Sequence, residues 1–431
     1  MAKAMSRTAH IRAVAKADPA QADPLLTALI ADLFGIGVER LTINTDRYSL
    51  NSLNGFFSSD GEDFFFKFHQ EDGEEAMTGE YYRADILARA GLPVDQPVHV
   101  STLPGEQLLV YRRRADPRFS DVLFDLDLAP DAEATDRAAA AEAALNDRLL
   151  TVARETLSPI TREEATAEPI HRLFHDRLVD MPGRHYPGGR LTAFYVGQSF
   201  ALPGGVELPW EAVANARPCL NGRAHSLGLQ ALFDRAHDRL VPRRMGDAGG
   251  TVAHGDAHNA NVWYTPADPV DLLSFFDPAF AGDKVPSLMG EVKSTFHNVF
   301  AHPFWLYHPD IATERFTATV HLDGESLMID TDWQVSPLRA RLLEAKALHF
   351  WKPWLATLKG RDLLPEDWEE VMRLAFFLCP TLVMNLRAGV PGGAHTPVSS
   401  AIALSVALAA GSRPVEGRDA FTDFFDAIRP D

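Results

Sequence analysis

Between residues 40 and 112 five short stretches read as strands, the first of them alternating and rich in β-formers, interrupted by one helical stretch, and beyond Arg114 the chain turns mainly helical. A two-residue period turns successive side chains to opposite faces of a strand, whereas a 3.6-residue period lays an apolar stripe along a helix. The predicted strands are residues 40–47, 55–59, 64–69, 98–102 and 107–112. Ser59-Asp60-Gly61-Glu62 is a hairpin signal between the second and third, and Pro104-Gly105 separates the last two. The helical stretch covers residues 74–90 and is stopped by Gly91-Leu92-Pro93. The resulting order predicts a small antiparallel sheet carrying one helix.

Upstream, residues 25–34 read as a short helix. Residues 1–16, rich in alanine, read as an amphipathic leading helix or a frayed tail, and lack the continuous apolar stretch of a secretory signal. Downstream, helices are predicted over 131–157, 171–179 and 221–240, and through most of 337–429. Residues 187–209, with their glycines and aromatics, predict an inserted hairpin. Residues 252–278 predict a loop, strand, turn and strand, and 315–331 a hairpin about Asp323-Gly324. The expected organisation is α+β: an N-terminal helical extension (1–34), a small sheet-based unit (35–114) and a large, mainly helical unit (115–431).

With 431 residues, 46% of them hydrophobic, the chain can bury a substantial core. Its 41 basic residues face 59 acidic ones, a net charge of −18. Phosphate-rich partners need clustered cations, so this balance argues against nucleic acid and against anionic membrane, and no stretch is long enough to span a bilayer. A small-molecule partner is expected, to a monomer or a homodimer. The acidity tolerates a cationic ligand but mainly serves solubility. Cys219 and Cys379 have no CxxC spacing and read as reduced thiols in cytoplasm.

The chemistry concentrates in Val252-Ala253-His254-Gly255-Asp256-Ala257-His258-Asn259-Ala260-Asn261-Val262-Trp263, followed by Asp277 at the end of the apolar run Leu272-Leu273-Ser274-Phe275-Phe276. Phosphoryl transfer to a hydroxyl asks little covalent chemistry of a protein. It needs a carboxylate to orient the hydroxyl and take its proton, and oxygen ligands for a metal that neutralises the phosphates. A loop bearing Asp256 and Asn261, with a strand delivering Asp277, supplies those groups. A second signal is Lys67 in Phe64-Phe65-Phe66-Lys67-Phe68, since a lysine in such a run is costly to bury without an anion.

His254 to Asn261 reads H-G-D-x-H-x-x-N and resembles the catalytic loop of the aminoglycoside phosphotransferase and choline kinase group, relatives of the protein kinases. The resemblance implies a two-lobed protein-kinase-like fold and an ATP- and Mg²⁺-dependent transfer to a hydroxyl of a small-molecule alcohol. It implies Asp256 as catalytic base, Asn261 and Asp277 as metal ligands, and His254 and His258 as residues that hold the loop. Lys67 would contact the nucleotide phosphates, paired with Glu80 on the following helix, with Glu74 and Glu75 as rivals. Ser49, Asn51 and Ser52 stand where a phosphate-covering loop belongs, although that segment has one glycine and no G-x-G-x-x-G. Backbone groups from Val110 to Arg112 would face adenine, in a cleft between lobes. Asp277 departs from D-F-G, lying in Phe-Phe-Asp-Pro-Ala-Phe. A further acid supporting the loop is expected at Asp283 or Glu291. Amino sugars, aminoglycosides, sugars and amino alcohols all suit as acceptors, and the acidic balance and the resemblance together favour an amine. The aromatic residues 349–354 read as core, with a pocket wall as the alternative.

Two other classes compete. Gly255-Asp256-Ala257-His258 matches a fragment of binuclear metal-dependent phosphohydrolases, and His254 and His258 are four apart, as zinc ligands on a helix would be. The rest of that hydrolase pattern is missing from the sequence. A nucleotide-binding pseudokinase would have lost Asp256, Asn261, Asp277 or Lys67, and all four are present.

Overall fold

A computed structural model describes residues 6–44, 52–69, 79–390 and 393–431. The chain divides into two compact units, residues 1–88 with 94–116, and residues 89–93 with 117–431. This is the α+β plan expected: a small unit built on one antiparallel sheet and a larger, mainly helical one.

The first unit opens with helices α1 (Arg7–Ala17) and α2 (Pro19–Phe34). Ser6 caps α1 by accepting from the Ala9 N–H. Asp18 and Pro19 start α2, and Gly35 ends it in the left-handed conformation. Strands β1 (Arg40–Ile43), β2 (Ser52–Ser59) and β3 (Glu62–His69) follow, then helix α3 (Gly79–Arg89) and strands β4 (His99–Ser101) and β5 (Leu108–Arg112). The sheet order is β1-β2-β3-β5-β4, antiparallel throughout. Asp60 and Gly61, at φ 51° and 78°, make the two-residue turn joining Ser59 to Glu62. Alternation along β2 and β3 buries Phe57, Phe64 and Phe66 in one core with Ile11, Leu26, Leu29, Ile30, Leu108 and Val110. The sheet therefore carries α1 and α2 as well as the single helix expected. Arg7–Ala17 is a packed helix, with Ile11 and Ala15 inside.

In the second unit, Ala132–Thr156 forms one unbroken helix, and five further helices fill residues 337–428. The hairpin Ala318–Asp323 with Ser326–Thr331 turns at Gly324, as predicted. It continues in parallel pairing onto Arg217–Leu220. Two predicted helices are corrected. Residues 171–179 form two short 3₁₀ turns, Pro169–Leu173 and His175–Arg177, interrupted by the non-helical backbone of Phe174. Residues 221–240 are helical only over Leu229–Arg239. Asn221 and Gly222, both at positive φ, instead turn the chain between Arg217–Leu220 and Arg223–Ala224, a use of Asn-Gly that turn chemistry favours. Residues 187–209 hold the expected hairpin, Ser199–Leu202 with Val206–Pro209, preceded by a short helix, Gly189–Phe194. Within 349–354 the large aromatics are core: Phe350 is buried, and Trp351 and Trp354 are fully buried and donate to Thr295 Oγ1 and the Ser287 carbonyl.

Candidate active site

Strand Gly250–Ala253 leads into the loop His254–Asn261, and strand Val262–Thr265 leads out of it, pairing antiparallel with Leu272–Phe275. Val262 lies opposite Phe275, so Asn261 and Asp277 flank the same end of the ribbon, and the Phe276 N–H donates to the Asn261 carbonyl at 3.0 Å. Asp277 holds a left-handed backbone, φ 54°, which Asp tolerates better than most residues. Gly255 sits at φ 77°. A Cβ there would lie 2.8 Å from both the Phe280 carbonyl oxygen and Ile170 Cδ1.

His254 ties these segments together. Fully buried, its Nδ1 accepts from the Asp256 N–H at 3.3 Å, so Nε2 carries the proton and donates to the Phe276 carbonyl at 3.0 Å. Burial lowers its pKa, which keeps it neutral. The Asn261 Nδ2 donates to the Asp256 carbonyl at 2.9 Å, and the Asn261 N–H to that of His258 at 2.7 Å. The loop thus brings Asp256, Asn261 and Asp277 together by hydrogen bonds that run through His254 and Asn261.

The Asp256 side chain faces a cation on an element the sequence reading did not single out. Lys293, on the short helix Val292–Thr295 and 7% exposed, forms an ion pair with Asp256 Oδ1. His258 Nε2 lies 3.5 Å from the same oxygen. Burial opposes ionisation of Asp256, but Lys293, together with His258 and His254, outweighs it and holds the carboxylate below its ordinary pKa. Burial lowers His258 to about 4 against the pull of Asp256, so its ring is neutral at pH 7. Lys293 is flanked by Glu291, Ser294 and Thr295, so the sequence carries no apolar-run signal of the kind that marked Lys67.

The loop's support is also different from that expected. Asn298 Oδ1 accepts from the Asn259 N–H at 2.8 Å. Asp283 is exposed, and buried Glu291 accepts from Ser294 Oγ at 2.6 Å. Beyond Lys293 the helix widens into a π turn, Phe296–Phe300. It carries His297, whose ring centre is 5.7 Å from that of His258 and whose Nδ1 meets the Tyr307 hydroxyl.

In the first unit, Lys67 lies on β3 opposite Asn54 and Leu109, half-buried, on the sheet face away from Phe64 and Phe66. Val110 is fully buried and its carbonyl accepts from the Val98 N–H at 2.7 Å, so neither its side chain nor that oxygen is open to adenine. Arg112 pairs with Glu62 at 3.2 Å on an exposed edge. Ser49 and Asn51 lie outside the described residues, as do the side chains of Ser52 and Glu80.

Asn261 and Asp277 suit a hard divalent cation. With Nδ2 committed to the Asp256 carbonyl, Asn261 presents its amide oxygen elsewhere, and Asp277 adds a carboxylate. Both ring nitrogens of His254 are engaged by the backbone, which does not fit a zinc ligand. Among the described residues no group of three His, Cys, Asp or Glu side chains could hold a metal ion, and no helix is long and apolar enough to cross a membrane. Both cysteines are free.

Solved structures with a similar chain path are phosphotransferases and kinases of small molecules. One is aminoglycoside phosphotransferase APH(4)-Ia, 14% identical, covering 92% of this chain and 100% of that one with a TM-score of 0.43. Another is the spectinomycin phosphotransferase APH(9)-Ia in complex with ADP and spectinomycin, 12% identical, covering 89% and 98%, TM-score 0.36. A putative fructosamine-3-kinase from Thermobifida fusca YX-ER1 is 13% identical, covering 89% and 98%, TM-score 0.37. No protein-family profile and no curated protein sequence matches the chain.

Proposed function

We propose that the protein is an ATP- and Mg²⁺-dependent phosphotransferase acting on a hydroxyl of a small molecule. The observation that carries this reading is a carboxylate, Asp256, kept ionised by Lys293 in a loop bonded to Asn261 and to the backbone beside Asp277. Asp256 Oδ1 is engaged by Lys293, which leaves Oδ2 for the acceptor hydroxyl. The acceptor oxygen bonds to the terminal phosphorus of ATP as the bond from that phosphorus to the ADP oxygen breaks, and the hydroxyl proton passes to Asp256. His254 and Asn261 keep the carboxylate from turning away. Asn261 and Asp277 would hold Mg²⁺, which when bound neutralises phosphate charge. On the first unit, Lys67 is proposed as a ligand of the nucleotide phosphates, with Glu80 as its partner. Ser49, Asn51 and Ser52 are proposed as phosphate-covering groups, and the end of β5 near Arg112 as the adenine side.

ADP release by the full chain, measured with and without Mg²⁺ over a panel of sugars, amino sugars, sugar acids and amino alcohols, tests the reading. Mg²⁺-dependent, acceptor-stimulated release supports it. Nucleotide binding with no acceptor-stimulated release across the panel points to a pseudokinase. Phosphate release from phosphate esters without nucleotide points to a hydrolase.

A further inference from the structure

The loop His254–Asn261 is also held from outside, through a chain of hydrogen bonds that ends on a buried ion pair. Asn298 Oδ1 accepts from the Asn259 N–H at 2.8 Å. The Asn298 carbonyl in turn accepts from Arg339 Nη1 at 2.8 Å. Arg339 Nε and Nη2 donate to Asp127 Oδ2 at 2.9 and 2.7 Å, and Ser336 Oγ donates to Asp127 Oδ1 at 2.8 Å. Asn259, Asn298 and Arg339 are buried, Arg339 completely, and the Asp127 side chain is 1% exposed.

Each link has a local cause. Asn298 lies in the π turn Phe296–Phe300, and carbonyls in the last turn of a helix need donors from elsewhere. Pro303, five residues on, has no N–H to offer in the π pattern, and Arg339 supplies the donor. Ser336 caps helix Pro337–Lys346 by accepting from the Arg339 N–H, which fixes the turn from which the guanidinium extends. Asp127 lies in the last turn of helix Phe119–Leu128, which packs on the turn Asn259–Asn261, while helix Pro337–Lys346 packs on the π turn. The pair Arg339–Asp127 therefore joins two helices that both bear on the loop's surroundings. Lys293, the partner of Asp256, stands five residues before Asn298 on the same helical segment.

A buried ion pair adds little net stability, because desolvation offsets the attraction, and apolar side chains of the same volume often serve as well. Apolar side chains could not hold a carboxylate and a backbone carbonyl in one plane at a fixed separation. A guanidinium fork does so, and a lysine ammonium does not.

We propose that Arg339 is a positioning residue for phosphoryl transfer: clamped on Asp127, it sets Asn298, and Asn298 sets Asn259, midway between Asp256 and Asn261. This rests on the phosphotransferase reading. Arg339 acts through two other residues, so its loss should loosen the loop and slow the transfer while leaving substrate affinity nearly intact.

Hydrogen–deuterium exchange of the full chain, read by mass spectrometry, and steady-state kinetics test the proposal together. Arg339→Lys keeps the charge but loses the fork. In R339K the exchange of residues 255–261 should rise by about tenfold or more, with strand Gly250–Ala253 exchanging as in the native chain. Per titrated nucleotide-binding site, kcat should fall by about tenfold or more, while KM for ATP and for the acceptor stays within about threefold. N298A removes the last link and leaves Arg339 on Asp127. It should reproduce both effects, and the double variant should be within about threefold of the worse single one, because the two act in one chain. A merely structural Arg339 would lower Tm and the number of competent sites but leave kcat per site unchanged. The proposal is overturned if the loop of R339K exchanges like that of the native chain, if its kcat per site stays within about threefold, or if the two substitutions act independently. Where R339K does not fold, D127N, which keeps the partner's shape but not its charge, is held to the same limits. Exchange is measured without turnover, so a native chain that releases no ADP, with variants that loosen the loop as described, fails only the phosphotransferase reading.

Discussion

Lys293 and Asp256 form an ion pair between the short helix Val292–Thr295 and the loop that follows strand Gly250–Ala253. Both are nearly buried, so each neutralises a charge that would otherwise be costly to hold there.

Removing the cation by Lys293→Met should raise the Asp256 pKa, because the carboxylate keeps its burial and loses its partner. The acid limb of the pH–rate profile should then move to higher pH, with kcat at neutral pH lower by about tenfold or more. Breaking one side of a buried pair costs about 3–5 kcal/mol, and removing both charges by Lys293→Met with Asp256→Asn should restore part of it. Thermal unfolding of the single and double variants, with the pH–rate profile, checks the pair. An unmoved acid limb removes Lys293 from the mechanism.

Asp256→Asn keeps the shape of the side chain but cannot take the acceptor proton. Turnover should fall by about 10²–10⁴-fold, while ADP affinity changes by no more than about threefold. Steady-state kinetics and ADP titration separate the two. Turnover within tenfold of the native value would remove Asp256 as the base.

Asp277→Asn and Asn261→Ala should raise the Mg²⁺ concentration needed for half-maximal nucleotide binding by about tenfold, since each weakens an oxygen ligand of a hard cation. Nucleotide titrations at fixed Mg²⁺ levels measure this. Unchanged Mg²⁺ dependence in both variants rules out these residues as ligands.

Gly255→Ala should destabilise the protein by about 1–3 kcal/mol, because the residue sits at φ 77° with its Cβ position 2.8 Å from the Phe280 carbonyl oxygen. A Tm within a degree of the native value would show that the loop relaxes freely.

Stability should fall as pH drops from about 6.5 toward 4. His258 and His395 are pushed by burial from 6.5 to about 4. Below 6.5 the unfolded chain takes up protons that the folded chain refuses, so stability rises with pH across this window and is lost on acidification. His395→Gln should flatten the dependence of Tm on pH between 7 and 5. An identical slope in the variant would show that His395 titrates normally.

Much of the plan was legible because it is written locally. The apolar, aromatic runs Phe56–Phe57 and Phe64–Phe66, with Asp60-Gly61 between, define a hairpin through β-propensity and the φ preferences of the turn. The spacing from His254 to Asn261 sets a loop whose internal hydrogen bonds span only a few residues. Where local signals competed, period misled: Asn221-Gly222 is a turn inside an expected helix, and Phe174 breaks another.

The sequence by itself determined the succession of strands and helix in the small unit and the helical character of the large one, and it singled out Asp256, Asn261 and Asp277 as candidate residues. Tertiary structure decided which groups surround them. Lys293 rather than a nearer residue meets Asp256, and Asn298 rather than Asp283 or Glu291 bonds to the loop. Such pairings join residues far apart along the chain, and they depend on how helices and loops pack, which no local period or turn preference encodes.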